Sequence, residues 1–166
     1  MQEFVNTVDH RRGQDVLASP TGLARWLEAH DLLGHGQTVD GADLATALRL
    51  REVLRDVFDP RRGLDGAAAG ALNDVTASAG IAPHVTAGGL VRLRPAADGT
   101  TGALGRIAAT SLRALLDGSA AKLKTCAAPE CRWLFFDGSR NRSSAWCEDA
   151  LCGSRHRMRA LRARRR

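Results

Sequence analysis

The four cysteines of this chain are the residues whose type and spacing indicate a definite chemistry. They form two identical pairs, Cys126-x4-Cys131 and Cys147-x4-Cys152, in the last quarter of the 166-residue sequence. A zinc ion bound by four thiolates lies about 2.3 Å from each sulfur, and two short loops can each supply two of these ligands. Four thiolates leave no position for a catalytic water, so we predict one structural zinc ion.

Two disulfides are the alternative use of four cysteines. After Met1 the chain is polar at Gln2-Glu3, without a basic and then apolar leader, and no apolar stretch is long enough to span a bilayer. These features predict a cytoplasmic protein that is not inserted in a membrane. Disulfides rarely persist in the cytoplasm, so the sequence favours metal binding over disulfides or free thiols.

Charge is divided unevenly along the chain, whose formal net charge is +6. Residues 1–118 carry twelve Lys/Arg against fourteen Asp/Glu, whereas residues 119–166 carry twelve against four. The net charge of +8 on the cysteine-rich segment favours a polyanionic partner, because contacts with phosphates release counterions. The alternative is a cationic tail that promotes only solubility.

The arginines after the last cysteine have helical spacing. Arg155, Arg159, Arg162 and Arg166 are 4, 3 and 4 residues apart, so on a continuous helix they lie within a stripe of roughly 60°. Such a stripe can follow a phosphate backbone, and a frayed cationic tail is the alternative. The candidate nucleic-acid-binding residues are Arg155, Arg157, Arg159, Arg162 and Arg166, and the predicted partner is duplex DNA.

Aromatic and basic residues surround the cysteines. We predict that the aromatic side chains fill the small core of this segment, with stacking on unpaired bases as the alternative, at Trp133, Phe135, Phe136 and Trp146. Three basic side chains are candidates for N–H···S contacts that offset the thiolate charge, with plain solvated charge as the alternative: Lys124, Arg132 and Arg155.

Polar and ionisable residues near the N-terminus could line a site for a small-molecule effector. The candidate ligand-binding residues are Asn6, Thr7, Asp9 and His10. The sequence contains no glycine-rich phosphate loop and no nucleophile elbow. We therefore predict no enzymatic activity and keep an enzyme in the N-terminal part as an alternative.

Several elements must position these residues. The patterns of caps and apolar spacing predict helices from Ser19-Pro20 to about His30, from Asp40 to Asp59-Pro60, from Asp65 to about Ala79 and from Leu104 to about Gly118. Residues 82–87 and 90–95 are predicted to form a hairpin whose Leu90, Val91 and Leu93 are apolar while Arg92 and Arg94 point outward. Phe4–Val8 is a β-compatible run, and residues 96–101 are predicted to form a loop.

In the cysteine-rich segment, Trp133–Phe136 is predicted to be a strand, and Asp137-Gly138-Ser139 a turn into a return strand that ends at Trp146-Cys147. A helix is expected from about Glu148 onward, with Leu151, Met158 and Leu161 on one side. A knuckle, a hairpin and a helix make up a treble-clef zinc finger.

The predicted fold class is α+β. A mainly helical domain with a small antiparallel sheet over residues 1–118 is joined, through about residues 117–124, to a four-cysteine treble-clef finger with a basic C-terminal helix over residues 119–166. The two are expected to have separate cores, and the smaller one needs zinc to fold.

The C-terminal part of the chain resembles the CGNR zinc-finger family. Three segments carry the resemblance: Cys126-x4-Cys131-x-Trp133-Leu134-Phe135, Ser139-Arg140-Asn141-Arg142 and Trp146-Cys147-x4-Cys152-Gly153-Ser154-Arg155. Upstream, Phe4-Val5-Asn6-Thr7 followed by Ser19-Pro20 and Trp26-Leu27 resembles the opening of the ABATE domain, which precedes such a finger in members of the family. The resemblance covers essentially the full chain. Ser154 stands where the family name implies Asn, and His156-Arg157 where a small residue and Lys are common.

The resemblance implies a mixed α/β N-terminal domain, a treble-clef finger and a role as a stress-induced transcription regulator whose finger binds DNA. We therefore predict a DNA-binding transcriptional regulator, with an N-terminal domain that senses a ligand or mediates assembly. The alternatives are an adaptor whose finger binds RNA or protein, and the enzyme considered above.

Overall fold

The computed structural model describes residues 1–62 and 65–165. The elements follow in the order α1 (Gln2–Val5), β1 (Val8–Asp9), β2 (Gln14–Asp15), α2 (Pro20–Ala29), α3 (Gly41–Val57), α4 (Gly66–Ser78), β3 (Ala82–Val85), β4 (Val91–Arg94), α5 (Gly99–Leu116), β5 (Leu123–Thr125), β6 (Leu134–Phe136) and α6 (Ser154–Arg164). A 3₁₀ turn over Ser119–Lys122 precedes β5, and a π-helical turn over Asp149–Gly153 precedes α6. The fold is mostly helical with small two-stranded antiparallel sheets, which confirms the predicted α+β class.

The predicted caps fix the starts of the long helices. Ser19 accepts a hydrogen bond from the Gly22 N–H at 3.1 Å and starts α2, and Asp40 forms a capping box with Asp43 at the start of α3. Asp65 caps α4 by accepting from the Ala68 N–H at 2.8 Å. These three helices confirm the sequence prediction. Among the described residues, no helix is both long and apolar enough to cross a lipid bilayer.

The β-compatible run Phe4–Val8 and the loop predicted over residues 96–101 both contain helix. Phe4 and Val5 lie in the short helix α1 rather than in a strand, because both side chains are fully buried and a strand would point them to opposite faces. Helix α5 begins at Gly99, inside the predicted loop. Its glycine- and threonine-rich first turn has weak helix propensity, and tertiary packing there overrides propensity.

The β3–β4 hairpin has the predicted strands, with Ala82 opposite Arg94 and Val85 opposite Val91. Its apolar residues Leu90 and Val91 are 54% and 57% exposed. Helix α5 packs against β4. A Cβ on Gly105 of α5 would lie 2.6 Å from the Ala79 Cβ and 2.9 Å from the Pro95 Cβ, so glycine is what allows this close approach.

The large core is built by α1 to α5 and includes one residue of the cysteine-rich segment. Its fully buried members include Phe4, Leu23, Leu27, Leu54 and Leu134. Leu134 of β6 packs in this core, while the cysteines belong to a second, smaller cluster. The cysteine cluster is thus distinct from the large core, to which β6 contributes Leu134.

The strand β6 pairs with the preceding β5, with Leu123 opposite Phe136 and Thr125 opposite Leu134. The predicted return strand ending at Cys147 is wrong, since residues 137–148 contain no strand. In its place Asp137 organises a loop. Its carboxylate accepts from the Ser139 N–H at 3.0 Å, the Ser144 N–H at 3.1 Å and the Lys124 ammonium at 2.7 Å.

Hydrogen bonds from the Asn6 side chain and from Thr125 hold β5 and β6 against the N-terminal helices. Asn6 pairs with the backbone of Leu134 in both directions, each at 2.8 Å. The Thr125 hydroxyl donates to the Arg55 carbonyl at 2.8 Å and its N–H donates to the Phe58 carbonyl at 2.9 Å. These two carbonyls end helix α3 and would otherwise lack partners, so β5 caps that helix.

Candidate metal centre and nucleic-acid interface

The four cysteine sulfurs converge at one point. All four Sγ atoms lie within 4.8 Å of one another, with Cys131 and Cys147 3.6 Å apart and Cys147 and Cys152 3.9 Å apart. A tetrahedron with metal–sulfur bonds of 2.3 Å has edges of about 3.8 Å, whereas a disulfide needs about 2.05 Å. The geometry therefore fits a four-thiolate zinc site, and none of the four cysteines forms a disulfide.

Two backbone segments present the ligands. Cys126 and Cys131 lie on the turn between β5 and β6, closed by hydrogen bonds from the Cys126 N–H to the Trp133 carbonyl and from the Cys131 N–H to the Ala128 carbonyl, both 2.9 Å. Cys147 ends the loop organised by Asp137, and Cys152 lies in the π-helical turn that starts α6. A metal ion held by these residues would fix the start of α6 against the β5–β6 turn.

Hydrogen bonds among the thiols separate their pKa values. Contacts with Cys131 and Cys147 lower the pKa of Cys126 to about 2, and the contact with Cys126 raises the pKa of Cys131 to about 12. Contacts with Cys126 and Cys131 raise the pKa of Cys147. A zinc ion held here would bind all four groups as thiolates and displace their protons, so its affinity would fall as the pH falls.

Two of the three basic residues predicted to contact the sulfurs bind carboxylates instead, and the contact of Arg155 with the sulfurs stays a prediction. Lys124 is held by Asp137, and Arg132 binds Asp56 at 2.8 Å and Glu52 at 3.6 Å. Arginines of the N-terminal part lie near the cluster instead. Burial lowers the pKa of Arg11, but the Cys131 thiolate, Asp9 and the Cys152 and Cys147 thiolates raise it overall.

Arg61 is the second arginine of the N-terminal part close to the sulfurs. Its pKa is raised chiefly by the hydrogen bond with Asp59 and also by Cys126, and its guanidinium donates to the Ala127 carbonyl at 2.9 Å. Sequence spacing could not reveal Arg11 or Arg61, because both approach the cysteines only through the tertiary fold.

The aromatic residues divide between packing and exposure. Trp133, Phe135 and Trp146 pack around the cysteines, and Trp146 also contacts the His156 ring at 4.7 Å. Phe136 is 55% exposed, with the Lys122 ammonium 5.6 Å from its ring centroid. Packing is therefore the role of three of the four predicted aromatic residues.

Helix α6 is exposed along its whole length and has no buried residue. Arg155, Arg159 and Arg162 line one shallow cleft of about 480 Å³ on its surface, together with Leu151 and Met158. These three arginines share a face, as their spacing predicted. Arg166, the fourth member of the predicted stripe, lies outside the described residues.

Two of the predicted nucleic-acid-binding arginines form ion pairs. Arg157 binds Asp149 through two hydrogen bonds of 2.9 and 3.1 Å, and Arg159 binds Glu130 through two of 2.9 and 2.6 Å. Successive residues of an α-helix are about 100° apart, so Arg157 lies on roughly the opposite side of α6 from Arg155. Arg155 and Arg162 have no ion pair within the described part of the chain.

The Cys152-Gly153-Ser154-Arg155 signature has a structural basis. A Cβ on Gly153 would lie 2.2 Å from the Asp149 Oδ1 and 3.0 Å from the Trp146 ring, so a larger residue would displace Asp149 from Arg157. The Ser154 hydroxyl accepts from Arg157 at 3.2 Å. It therefore serves the local network at the start of α6.

Comparison with protein families agrees with this architecture. Residues 1–123 match the ABATE model, described as "Putative stress-induced transcription regulator".

The chain belongs to the ABATE family.

Residues 122–165 match the CGNR zinc finger, which confirms the resemblance seen in the sequence. A search of characterised proteins found none that matches the chain. The chain thus combines an ABATE domain with a CGNR zinc finger, and the four-cysteine cluster lies within the finger.

The ABATE-domain residues predicted to bind a ligand are engaged in the fold to different degrees. Asn6 binds Leu134, and Thr7 donates to the Phe4 carbonyl at 2.8 Å. Asp9 accepts from the Arg11 N–H at 2.9 Å and stabilises a turn, while His10 is exposed. The ligand-binding role of these four residues stays a prediction.

Two buried arginines on α3 were missed by the sequence analysis. Arg51 binds Asp15 through two hydrogen bonds of 2.7 and 2.9 Å. Arg55 is fully buried and donates to the carbonyls of Val5 and Arg132, which ties α1 to the zinc finger. Burial lowers the pKa of Arg55, and its ion pair with Glu52 at 3.1 Å opposes that effect. The feature of the sequence that could have revealed these two residues is their position on the apolar face of a predicted helix.

Proposed function

We propose that this chain is a transcriptional regulator that binds duplex DNA through its CGNR zinc finger, which holds one structural zinc ion. The observation that carries the proposal is helix α6, which is exposed, basic and attached directly to the cysteine cluster. Both matched families concern regulation and a zinc finger, which supports a role other than catalysis. The cytoplasm is the proposed compartment, because it is reducing and keeps thiolate ligands available for zinc.

Arg155 and Arg162 are the residues we assign to the first contacts with phosphates or bases. Neither side chain forms an ion pair within the described part of the chain, and Arg155 follows the last cysteine by three residues. A guanidinium on a backbone fixed by zinc loses less conformational freedom on binding than one on a frayed end. Arg159 can exchange Glu130 for a phosphate, because exposed ion pairs contribute only about 0–1 kcal/mol.

Fluorescence anisotropy of the zinc-loaded chain with labelled duplex DNA, single-stranded DNA and structured RNA tests the proposal. We expect the tightest binding to duplex DNA, with a steep dependence on salt. If about five phosphates are contacted, log K falls with a slope of roughly −4 to −5 against log salt. Binding that prefers RNA, or that ignores salt, contradicts the proposal and favours the adaptor alternatives.

Paired variants locate the interface. Arg155→Ala is expected to weaken duplex binding by roughly 1–3 kcal/mol, whereas Arg157→Ala, the matched control on the opposite side of α6, is expected to have a smaller effect. Zinc content and thermal melting of both variants distinguish lost contacts from lost folding. Unchanged affinity in both variants would show that α6 is not the element that faces DNA, and equal losses would contradict the assignment of the contact to the Arg155 face.

The ABATE domain is proposed to modulate the finger, because Arg55 and Thr125 connect α3 to the β5–β6 turn that carries two zinc ligands. This arrangement supports either ligand sensing or assembly, as the sequence analysis predicted. Analytical ultracentrifugation with and without DNA separates the two, since assembly changes the mass of the complex.

A further inference from the structure

A second basic region lies in the ABATE domain, away from the zinc finger. A cleft of about 510 Å³ lies between the β3–β4 hairpin and helix α5. Its walls contain the apolar side chains Leu32, Leu90, Val91, Leu93 and Ile107, together with the arginines Arg92, Arg106 and Arg113. No acidic residue is among the described residues that line it. Its volume is within the range of about 300–1,000 Å³ that is usual for small-molecule sites.

The positive charge of this cleft is unusual for its part of the chain. Residues 1–118 carry a net negative charge, yet residues 75–116 contain four arginines against the single acidic residue Asp98. Arg94 extends the basic surface, since it lines an adjoining groove with Arg92 and Arg106. Arg106 donates to the Leu32 carbonyl, which positions its guanidinium without neutralising it.

The apolar part of the cleft is exposed. Leu90 and Val91 leave more than half of their surface in contact with solvent, although both flank the arginines. Large apolar side chains that group at the surface usually mark a binding site. The close contact of Gly105 with Ala79 and Pro95 holds the hairpin on α5, so the two walls of the cleft have a fixed relation.

We propose that this cleft binds a small organic anion, a carboxylate, sulfonate or phosphate ester with an apolar body. The anionic group would lie among Arg92, Arg106 and Arg113, and the apolar body would cover Leu90 and Val91. Guanidinium groups bind such anions through charge-assisted hydrogen bonds. The assignment is independent of DNA binding by the finger.

Two other occupants fit the observations less well. A second copy of this chain placed symmetrically on the cleft would bring the same arginines against each other, and like charges oppose such contact. A nucleic-acid backbone would bind the arginines but leave the apolar walls exposed. An organic anion satisfies both features.

The probe for the test is 1-anilinonaphthalene-8-sulfonate, an organic anion with an aromatic body whose fluorescence rises on binding. Its titration into the zinc-loaded full chain is expected to show one site. Arg92→Gln combined with Arg113→Gln is expected to weaken binding at least about tenfold, because two charge-assisted contacts are lost. The matched control, Arg25→Gln combined with Arg140→Gln, removes two exposed arginines elsewhere and is expected to bind normally.

The charge-preserving pair Arg92→Lys and Arg113→Lys is expected to keep most of the affinity, and the neutral analogue N-phenyl-1-naphthylamine is expected to bind more weakly than the sulfonate. Amide NMR shifts of the 17.7 kDa chain locate the probe, with the largest changes expected in residues 90–93 and 106–113. Shifts confined to α6, equal binding by the glutamine pair, or shifts of the cleft with duplex DNA but not with the sulfonate would each overturn the proposal.

Discussion

At the scale of single residues, the pairing of Arg51 with Asp15 joins α3 to the strand β2. Arg51 is nearly buried, and its guanidinium also donates to the Thr7 hydroxyl at 3.1 Å. Partial burial tends to raise the pKa of Asp15, but the hydrogen bonds from Arg51 and the Leu17 N–H lower it overall. The folded state therefore favours the carboxylate.

Asp15→Asn tests this pairing. We expect it to lower the free energy of unfolding at pH 7 by about 1–3 kcal/mol, because a buried guanidinium loses its charged partner. Since the folded state lowers the pKa of Asp15, its stabilising effect is present at neutral pH and is lost as the pH falls below about 4. Urea unfolding at several pH values measures both effects. The exposed control Asp74→Asn should leave stability unchanged, and a difference between Asp15→Asn and the parent chain that stays constant to pH 3 would contradict the assignment.

Arg132 has a strained backbone conformation and a side chain that forms two ion pairs. It follows Cys131 with a φ of 50°, in the left-handed region that favours glycine, and its side chain binds Asp56 and Glu52. Arg132→Gly and Arg132→Ala both remove the ion pairs, but only glycine removes the strain. We expect the alanine variant to be the less stable by roughly 0.5–1 kcal/mol in thermal melting. Equal stabilities would indicate that the turn relaxes around Arg132.

At the scale of elements, helix α6 depends on the residues before it. It has 11 residues and no buried side chain, and isolated helices shorter than about 12–15 residues are marginal in water. Packing of its apolar face does not stabilise it. The stabilising contacts are the Cys152 ligand, the ion pairs with Asp149 and Glu130, and the contact of Trp146 with His156. The metal centre is therefore expected to control whether the basic helix exists.

Cys147→Ser is expected to remove the zinc ion and unfold α6. Elemental analysis should find one zinc per parent chain and none in the variant, because a hydroxyl is a poor replacement for a thiolate ligand. Circular dichroism should show the loss of about one short helix. Chelation of zinc from the parent chain should reproduce the change, and a variant that keeps both its zinc and its helicity would contradict the four-thiolate site.

At the scale of the whole molecule, the zinc finger and the ABATE domain are expected to be coupled. Contacts cross the boundary predicted near residue 118. Leu134 packs in the large core, and Thr125 and the Arg132 carbonyl form hydrogen bonds with Arg55. We expect a fragment of residues 1–118 to be less stable than the full chain by at least about 3 kcal/mol, from the lost burial of Leu134 and the lost partner of Arg55. Chemical unfolding followed by circular dichroism measures the difference.

A second variant separates packing from zinc binding. Leu134→Ala keeps all four cysteines, and we expect it to destabilise the full chain by about 2–5 kcal/mol while its zinc content stays at one. If the fragment and the parent chain were equally stable, the two parts would be thermodynamically independent in spite of their contacts.

Sequence reasoning succeeded where the signal is local. Caps such as Ser19, Asp40 and Asp65 fix helix starts within a few residues, and the cysteine spacing indicated a cluster that the structure places within 4.8 Å. It failed where contacts between residues far apart in the sequence determine the structure. The partner of β6 is β5 rather than a return strand, because hydrogen bonds to α3 and to the Asn6 side chain hold both strands. The exposed Leu90 and Val91 of the hairpin could not be foreseen, because an alternating pattern does not say whether a face is covered.

The pairing of Asn6 with Leu134 sets an order for the assembly of the chain during translation. The two residues are 128 positions apart, so the start of the chain leaves the ribosome long before its partner strand is made. Contacts of such separation form late in folding, because closing a long loop costs entropy before any interaction rewards it. Helix α1 and the guanidinium of Arg55 therefore reach their final hydrogen bonds only after β6 emerges. The nascent ABATE domain is thus left incomplete until the zinc-binding segment arrives.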